Sequence, residues 1–93
     1  MSNQTVAEVL ASADDSVTLI NDINTNGSDS VYVPMDVDQD GINDIVQRNV
    51  DHLEIILAYD GSSESKPDVA GSSEDKSSYT SAITTGKAYI AAN

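Results

Sequence analysis

"INDIVQRNVDHLEIILAY" occupies residues 42–59, and its reading decides the architecture. Ile42, Ile45, Val46, Asn49/Val50, Leu53, Ile56 and Leu57 recur at steps of three and four. That period places them on one wide apolar stripe of an α-helix. Asp44 stands four residues before Arg48, and Arg48 three before Asp51, so the polar side carries favourable acid–base pairs. Asp60-Gly61 supplies the stop, because glycine enters the left-handed conformation that ends helices. A stripe this wide needs other elements to cover it, so the flanking sequence decides what the domain is.

Upstream, "TVAEVLASADDSVTLINDI" (5–23) places Val6, Val9, Leu10, Ala13, Val17, Ile20 and Ile23 on a second helical face. Thr5 and Glu8 have the capping-box spacing, which sets the start. "NTNGSDS" (24–30) has the Asn and Gly of a turn. "VYVP" (31–34) reads as a short extended segment, since Pro34 biases Val33 away from helical geometry.

Downstream, "GSSESKPDVAGSSEDKSS" (61–78) reads as a long Ser-rich surface loop, with Val69 and Ala70 expected to touch down on the core midway. "SYTSAITTGKAYIAA" (78–92) then places Tyr79, Ala82, Ile83, Gly86 and Ile90 on a third helical face, capped by Ser77 or Ser78. Gly86 costs about 1 kcal/mol relative to Ala inside a helix and is expected where another backbone passes close. The expectation is a mainly α, single small domain over 1–93. It has helices at about 5–24, 42–59 and 78–92, long surface loops at 25–41 and 60–77, and one short extended segment. The pattern leaves open whether the helices close into a bundle or lie open against partners.

Composition narrows the function classes. Ninety-three residues suit one domain with a modest core. Four Tyr are the only aromatic residues, so Val, Ile, Leu and Ala must build that core. A core this thin gains from docking on another chain. Without cysteine there is no disulfide, thiolate metal site or thiol nucleophile. Four Lys+Arg against sixteen Asp+Glu give a net charge of −12. That balance argues against nucleic acid and against an anionic membrane, both of which are bound by cationic side chains. It suits cations or a basic partner. The opening "MSNQTVAEVL" lacks the basic start and apolar run of a signal peptide. No apolar run approaches the roughly 20 residues needed to span a bilayer.

"MDVDQDGINDIV" (35–46) carries the only metal-like spacing. Calcium takes six to eight oxygen ligands, and a D-x-D-x-D-G loop turns alternate side chains toward the ion. Asp36, Asp38 and Asp40 fit positions 1, 3 and 5, Gly41 the sharp turn at 6, the Ile42 carbonyl position 7, and Asp44 position 9. Over these nine residues the segment resembles the loop of EF-hand and dockerin-like calcium proteins, and also single-loop extracellular calcium repeats. It departs at position 12, where the bidentate acid is replaced by Gln47, and at position 8, where Asn43 replaces an aliphatic residue. The chain has no second loop to pair with it. The alternative is an acidic turn whose carboxylates favour the positive end of the following helix.

Nothing else carries site chemistry. His52 is the sole histidine and lies on an amphipathic helix with no nucleophile motif near it. "TTGK" (84–87) lacks the first Gly and the Ser/Thr of a phosphate loop. Tyr32, Tyr59, Tyr79 and Tyr89 read as packing residues. An enzyme is not expected.

"RNVDHLEIILA" (48–58), "SYTSAITTGKAYIAAN" (78–93) and "NQTVAEVLASADDSVTLIN" (3–21) together resemble small acidic proteins encoded among the structural genes of tailed bacteriophages, especially marine ones. The resemblance covers most of the chain outside its loops and brings no catalytic residues. It implies a virion component assembled in the host cytoplasm: a capsid decoration or cement protein, or a neck or tail accessory. The implied partners are other virion proteins, such as a major capsid protein, or copies of itself, bound through the apolar helix faces.

Overall fold

The computed structural model describes residues 4–93. Three helices, α1 (Val6–Asn26), α2 (Gln39–Leu57) and α3 (Ser77–Ala92), each pack against the other two. A single 3-10 turn (Gly27–Asp29) follows α1. The helices close on themselves, which answers the question left open by their pattern.

α1 starts as its capping box requires. Thr5 Oγ1 accepts the Glu8 N–H at 3.1 Å, and Glu8 Oε1 accepts the Thr5 N–H at 3.0 Å. The helix runs two residues beyond the expected Asn24. Asn26 ties its side chain back to Asp22, and the first positive φ comes only at Gly27 (56°). α2 starts three residues before the expected Ile42, because Asp38 is its N-cap and accepts the Gly41 N–H at 2.8 Å. It ends at Leu57 with Ala58 as cap, so Gly61 is not its terminator. Gly61 instead uses a φ of 79° to turn against Asp68. Neither Ser77 nor Ser78 caps α3. The Asp75 carboxylate accepts the Ser77 N–H at 2.9 Å, a task any side-chain acceptor at that place can fill.

The core is aliphatic. Ile20 and Ile23 of α1, and Ile42, Val46, Val50 and Leu53 of α2, are all but inaccessible. Each such side chain contributes roughly 1.5–3 kcal/mol on burial. α3 is turned slightly from its expected face. The 3-4-3 line Tyr79, Ala82, Gly86 and Tyr89 is buried, while Ile83 and Ile90 pack at its margin. Gly86 sits where the three helices meet. A Cβ there would lie 2.5 Å from Val50 Cγ2, 3.3 Å from Val46 Cγ1 and 3.4 Å from Ile20 Cγ2. Side chains of α1 and α2, not a backbone, therefore occupy the space that glycine leaves.

Polar bonds stitch the seams between helices. Ser16, buried on α1, donates to Asn49 Oδ1 at 2.8 Å, and Asn49 donates to the Ile45 carbonyl at 2.8 Å. The Tyr79 hydroxyl of α3 reaches Asp14 Oδ1 (2.7 Å) and the Leu10 carbonyl (3.2 Å) of α1. Gln39 Nε2 at the start of α2 donates to the Tyr89 hydroxyl of α3 at 3.0 Å and to Asn43 at 2.9 Å.

The expected extended segment at 31–34 is absent: no β-strand occurs among the described residues. Val33 donates its N–H to the Ser30 carbonyl at 3.1 Å, which makes this stretch a turn. A strand needs a partner edge for its backbone groups, and none lies beside it.

Candidate functional site

The acidic segment is built around the start of α2 rather than around a cavity. Asp36 takes the left-handed conformation (φ 66°) in the turn that precedes the helix, a conformation Asp tolerates better than most residues. Asp38 commits one carboxylate oxygen to the Gly41 N–H. Asp40 lies in the first helical turn, and Asp44 lies one turn further on, paired with Arg48. Ile42 turns its side chain into the core. Helix therefore covers the stretch from Gln39 onward that a ligand loop would have to wrap around an ion. Gly41, whose place suggested a sharp ligand turn, lies inside the helix. A Cβ there would meet Val37 Cγ1 at 2.5 Å, so the glycine makes room for Val37. Among the described residues, no three His, Asp or Glu side chains are gathered as a metal-holding group.

The same segment carries a second feature. Between Val31 and Val37 only Val33 and Val37 turn inward, and the residues around them are exposed. Val33 and Val37 pack against the core, whereas Val31 and Met35 are 87% and 90% exposed. Tyr32 beside them is 38% exposed. They are the exposed apolar residues of one short turn segment, the knuckle, and several ties hold it. The buried Ser30 hydroxyl donates to the Asp22 carboxylate of α1 and accepts the Tyr32 N–H at 3.2 Å. Pro34 limits the backbone within it. Elsewhere the helix surfaces keep their large apolar groups covered or half-covered, with Ile55 of α2, 58% exposed, standing apart from the knuckle in sequence.

The titratable groups read as structural. Burial, then the hydrogen bond from Tyr79 to the Asp14 carboxylate, pushes the Tyr79 hydroxyl up to about 12. Hydrogen bonds from Ser62 hold the Asp60 carboxyl below its usual range, and those from Ser77 do the same for Asp75. His52 lies exposed on α2. Glu54 forms a surface pair with Lys87 of α3 at 3.1 Å. No helix among the described residues is long and apolar enough to cross a membrane.

Sequence reasoning named Asp36, Asp38, Asp40, Ile42 and Asp44, and the structure places all five within one turn and the first two turns of α2. It missed Val31, Tyr32 and Met35 as a surface. The apolar residues of "VYVPMDV" fall at 31, 33, 35 and 37, which a period of two would place on one face, yet the structure turns Val33 and Val37 in and Val31 and Met35 out. Without a strand, that pattern does not say which side faces the core. No family model, curated protein or solved structure matches the chain.

Proposed function

We propose that the chain is a non-enzymatic structural or assembly protein of a phage particle. It acts as a capsid decoration or cement protein, or as a neck or tail accessory, held to other virion subunits. The observation that carries this reading is a closed bundle whose three helical stripes are spent on their own core, beneath an acidic surface. Such a body is a rigid adaptor with a surface to offer and a charge that favours basic protein partners. The similarity of "RNVDHLEIILA" and "SYTSAITTGKAYIAAN" to small phage structural proteins supplies the setting. Because the helix faces are buried, attachment through them would require the bundle to open, so the reading places contact on the outer surface instead. Mass spectrometry of purified particles of the phage that carries the gene tests it. The expected result is the chain in fixed proportion to a shell or tail protein, and its absence from particles would overturn the reading.

A further inference from the structure

We infer that the knuckle Val31–Asp36 is the docking surface, and that its partner is a folded protein with an apolar cleft rimmed by Lys or Arg. Exposing Val31 and Met35 at 87% and 90% makes this the most accessible large apolar group pair of the described surface. The pair is preorganised. Val33 and Val37 anchor the segment from below, Ser30 ties it to Asp22 of α1, and Asp38 caps α2 directly after it. A segment already tied in place loses less conformational entropy on binding, which is where preorganised surfaces gain affinity.

Charge selects the occupant. Asp36 is the neighbour of Met35, and Asp29 stands two residues before Val31. Successive Cα atoms lie about 3.8 Å apart, so these two acids flank the apolar pair within about 8 Å of backbone. Asp38 and Asp40 follow on the first turn of α2. A second copy of this chain is a poor occupant, because apposing two knuckles brings Asp29 and Asp36 against their own counterparts in a molecule of net charge −12. An anionic lipid surface is repelled in the same way. A basic rim around an apolar floor satisfies both parts of the knuckle. The inference rests on the virion reading only for who supplies that cleft, not for where it binds.

The test places a photo-crosslinking amino acid in the full chain at position 35, at position 55 on α2 or at position 72 in the second connection, during phage production. The inference expects one dominant protein adduct from position 35, at a peptide carrying Lys or Arg beside apolar residues, with little from the other two positions. A virion protein in that adduct supports both readings. A basic cellular protein supports the knuckle and removes the virion reading. A self-adduct, a lipid adduct, a stronger product from position 55 or 72, or no product at all overturns the inference. The partner so identified is then titrated with the chain. Val31→Ser with Met35→Ser is expected to weaken binding on the order of tenfold or more. Asp29→Asn with Asp36→Asn, which keeps the left-handed residue tolerable, is expected to weaken it several-fold and flatten its salt dependence. Unchanged affinity in the Ser double variant, with an unchanged helical spectrum, would also overturn it.

Discussion

The two connections between helices solve the same problem in opposite ways. The first, residues 27–38, is pinned repeatedly. Ser30, Val33 and Val37 face inward, and Val31 and Met35 are forced out by the same turns. The second, residues 58–76, is longer and Ser-rich, and its one fully buried apolar side chain is Val69, with Tyr59 packed part-buried against the core. Around Val69 run side-chain, backbone and lysine ties: Ser72 Oγ donates to the Val69 carbonyl and Asp68 Oδ1 accepts the Gly71 N–H, both at 2.8 Å. Ala70 N–H meets the Tyr59 carbonyl at 2.9 Å, and Lys76 Nζ reaches the Ser72 carbonyl at 2.8 Å. One loop spends apolar residues on solvent while the other does not. Both connections are tied by several hydrogen bonds, so what separates them is which side chains meet solvent: Val31 and Met35 in the first, polar groups in the second.

The contrast breaks most easily at Val69. Val69→Asp places a carboxylate where no solvent reaches, and is expected to cost about 3 kcal/mol or more. Urea unfolding measures that loss, and limited proteolysis is expected to cut first within 61–75. If the variant keeps its stability, the second connection is held by something other than Val69. The first connection divides its load, so its single ties matter less. Ser30→Ala removes the bonds to Asp22 and Tyr32 and is expected to cost about 1–2 kcal/mol, with faster amide exchange at Tyr32 and Val33. A loss as large as that at Val69 would contradict that division.

Helix existence was legible in the chain because the 3–4 spacing of Val, Ile and Leu has few competing explanations. The stripe from Ile42 to Ile56 is buried as its spacing implies. Boundaries were less legible because they depend on which polar side chain captures a free N–H. Asp38 at α2 and Asp75 at α3 each did so ahead of the expected residue. The mutual burial of Ser16 and Asn49 was hidden, since a polar pair satisfies itself only when two distant segments meet. At the candidate site, D-x-D-x-D-G left a ligand loop and an acidic helix start both open, because spacing alone does not separate the two. Gly41 serves Val37, and Asp38 serves Gly41.

A seam outside both connections provides an internal control. The Tyr79 hydroxyl is held up at about 12 by burial and by Asp14, against about 10 when unfolded. A raised value means that the folded state keeps its proton longer. The contribution is therefore fully present below pH 10 and is lost as pH rises through 12, on the order of 1 kcal/mol per pH unit. Chemical denaturation across pH 9–12 is expected to show this fall, and Tyr79→Phe to flatten it. A fall of equal steepness in the Phe variant would assign it elsewhere.

The smallest effect concerns calcium. With Asp38 serving as a cap and Gln47 at the position of the bidentate acid, millimolar calcium is expected to shift the melting curve no more than magnesium at equal ionic strength. A calcium-specific rise, abolished by Asp36→Asn with Asp40→Asn, would favour the ligand-loop reading of Asp36, Asp38, Asp40, Ile42 and Asp44.

The knuckle itself lies on the outside, so Val31→Ser with Met35→Ser is expected to change folding stability by less than about 0.5 kcal/mol. That neutrality permits a direct competition. Wild-type and double-variant chains are produced together during phage growth, and the ratio of their peptides is measured by mass spectrometry in the lysate and in purified particles. The account predicts wild-type enrichment in particles on the order of tenfold over the lysate ratio. Equal incorporation of the two chains, or the absence of both from particles, would contradict it.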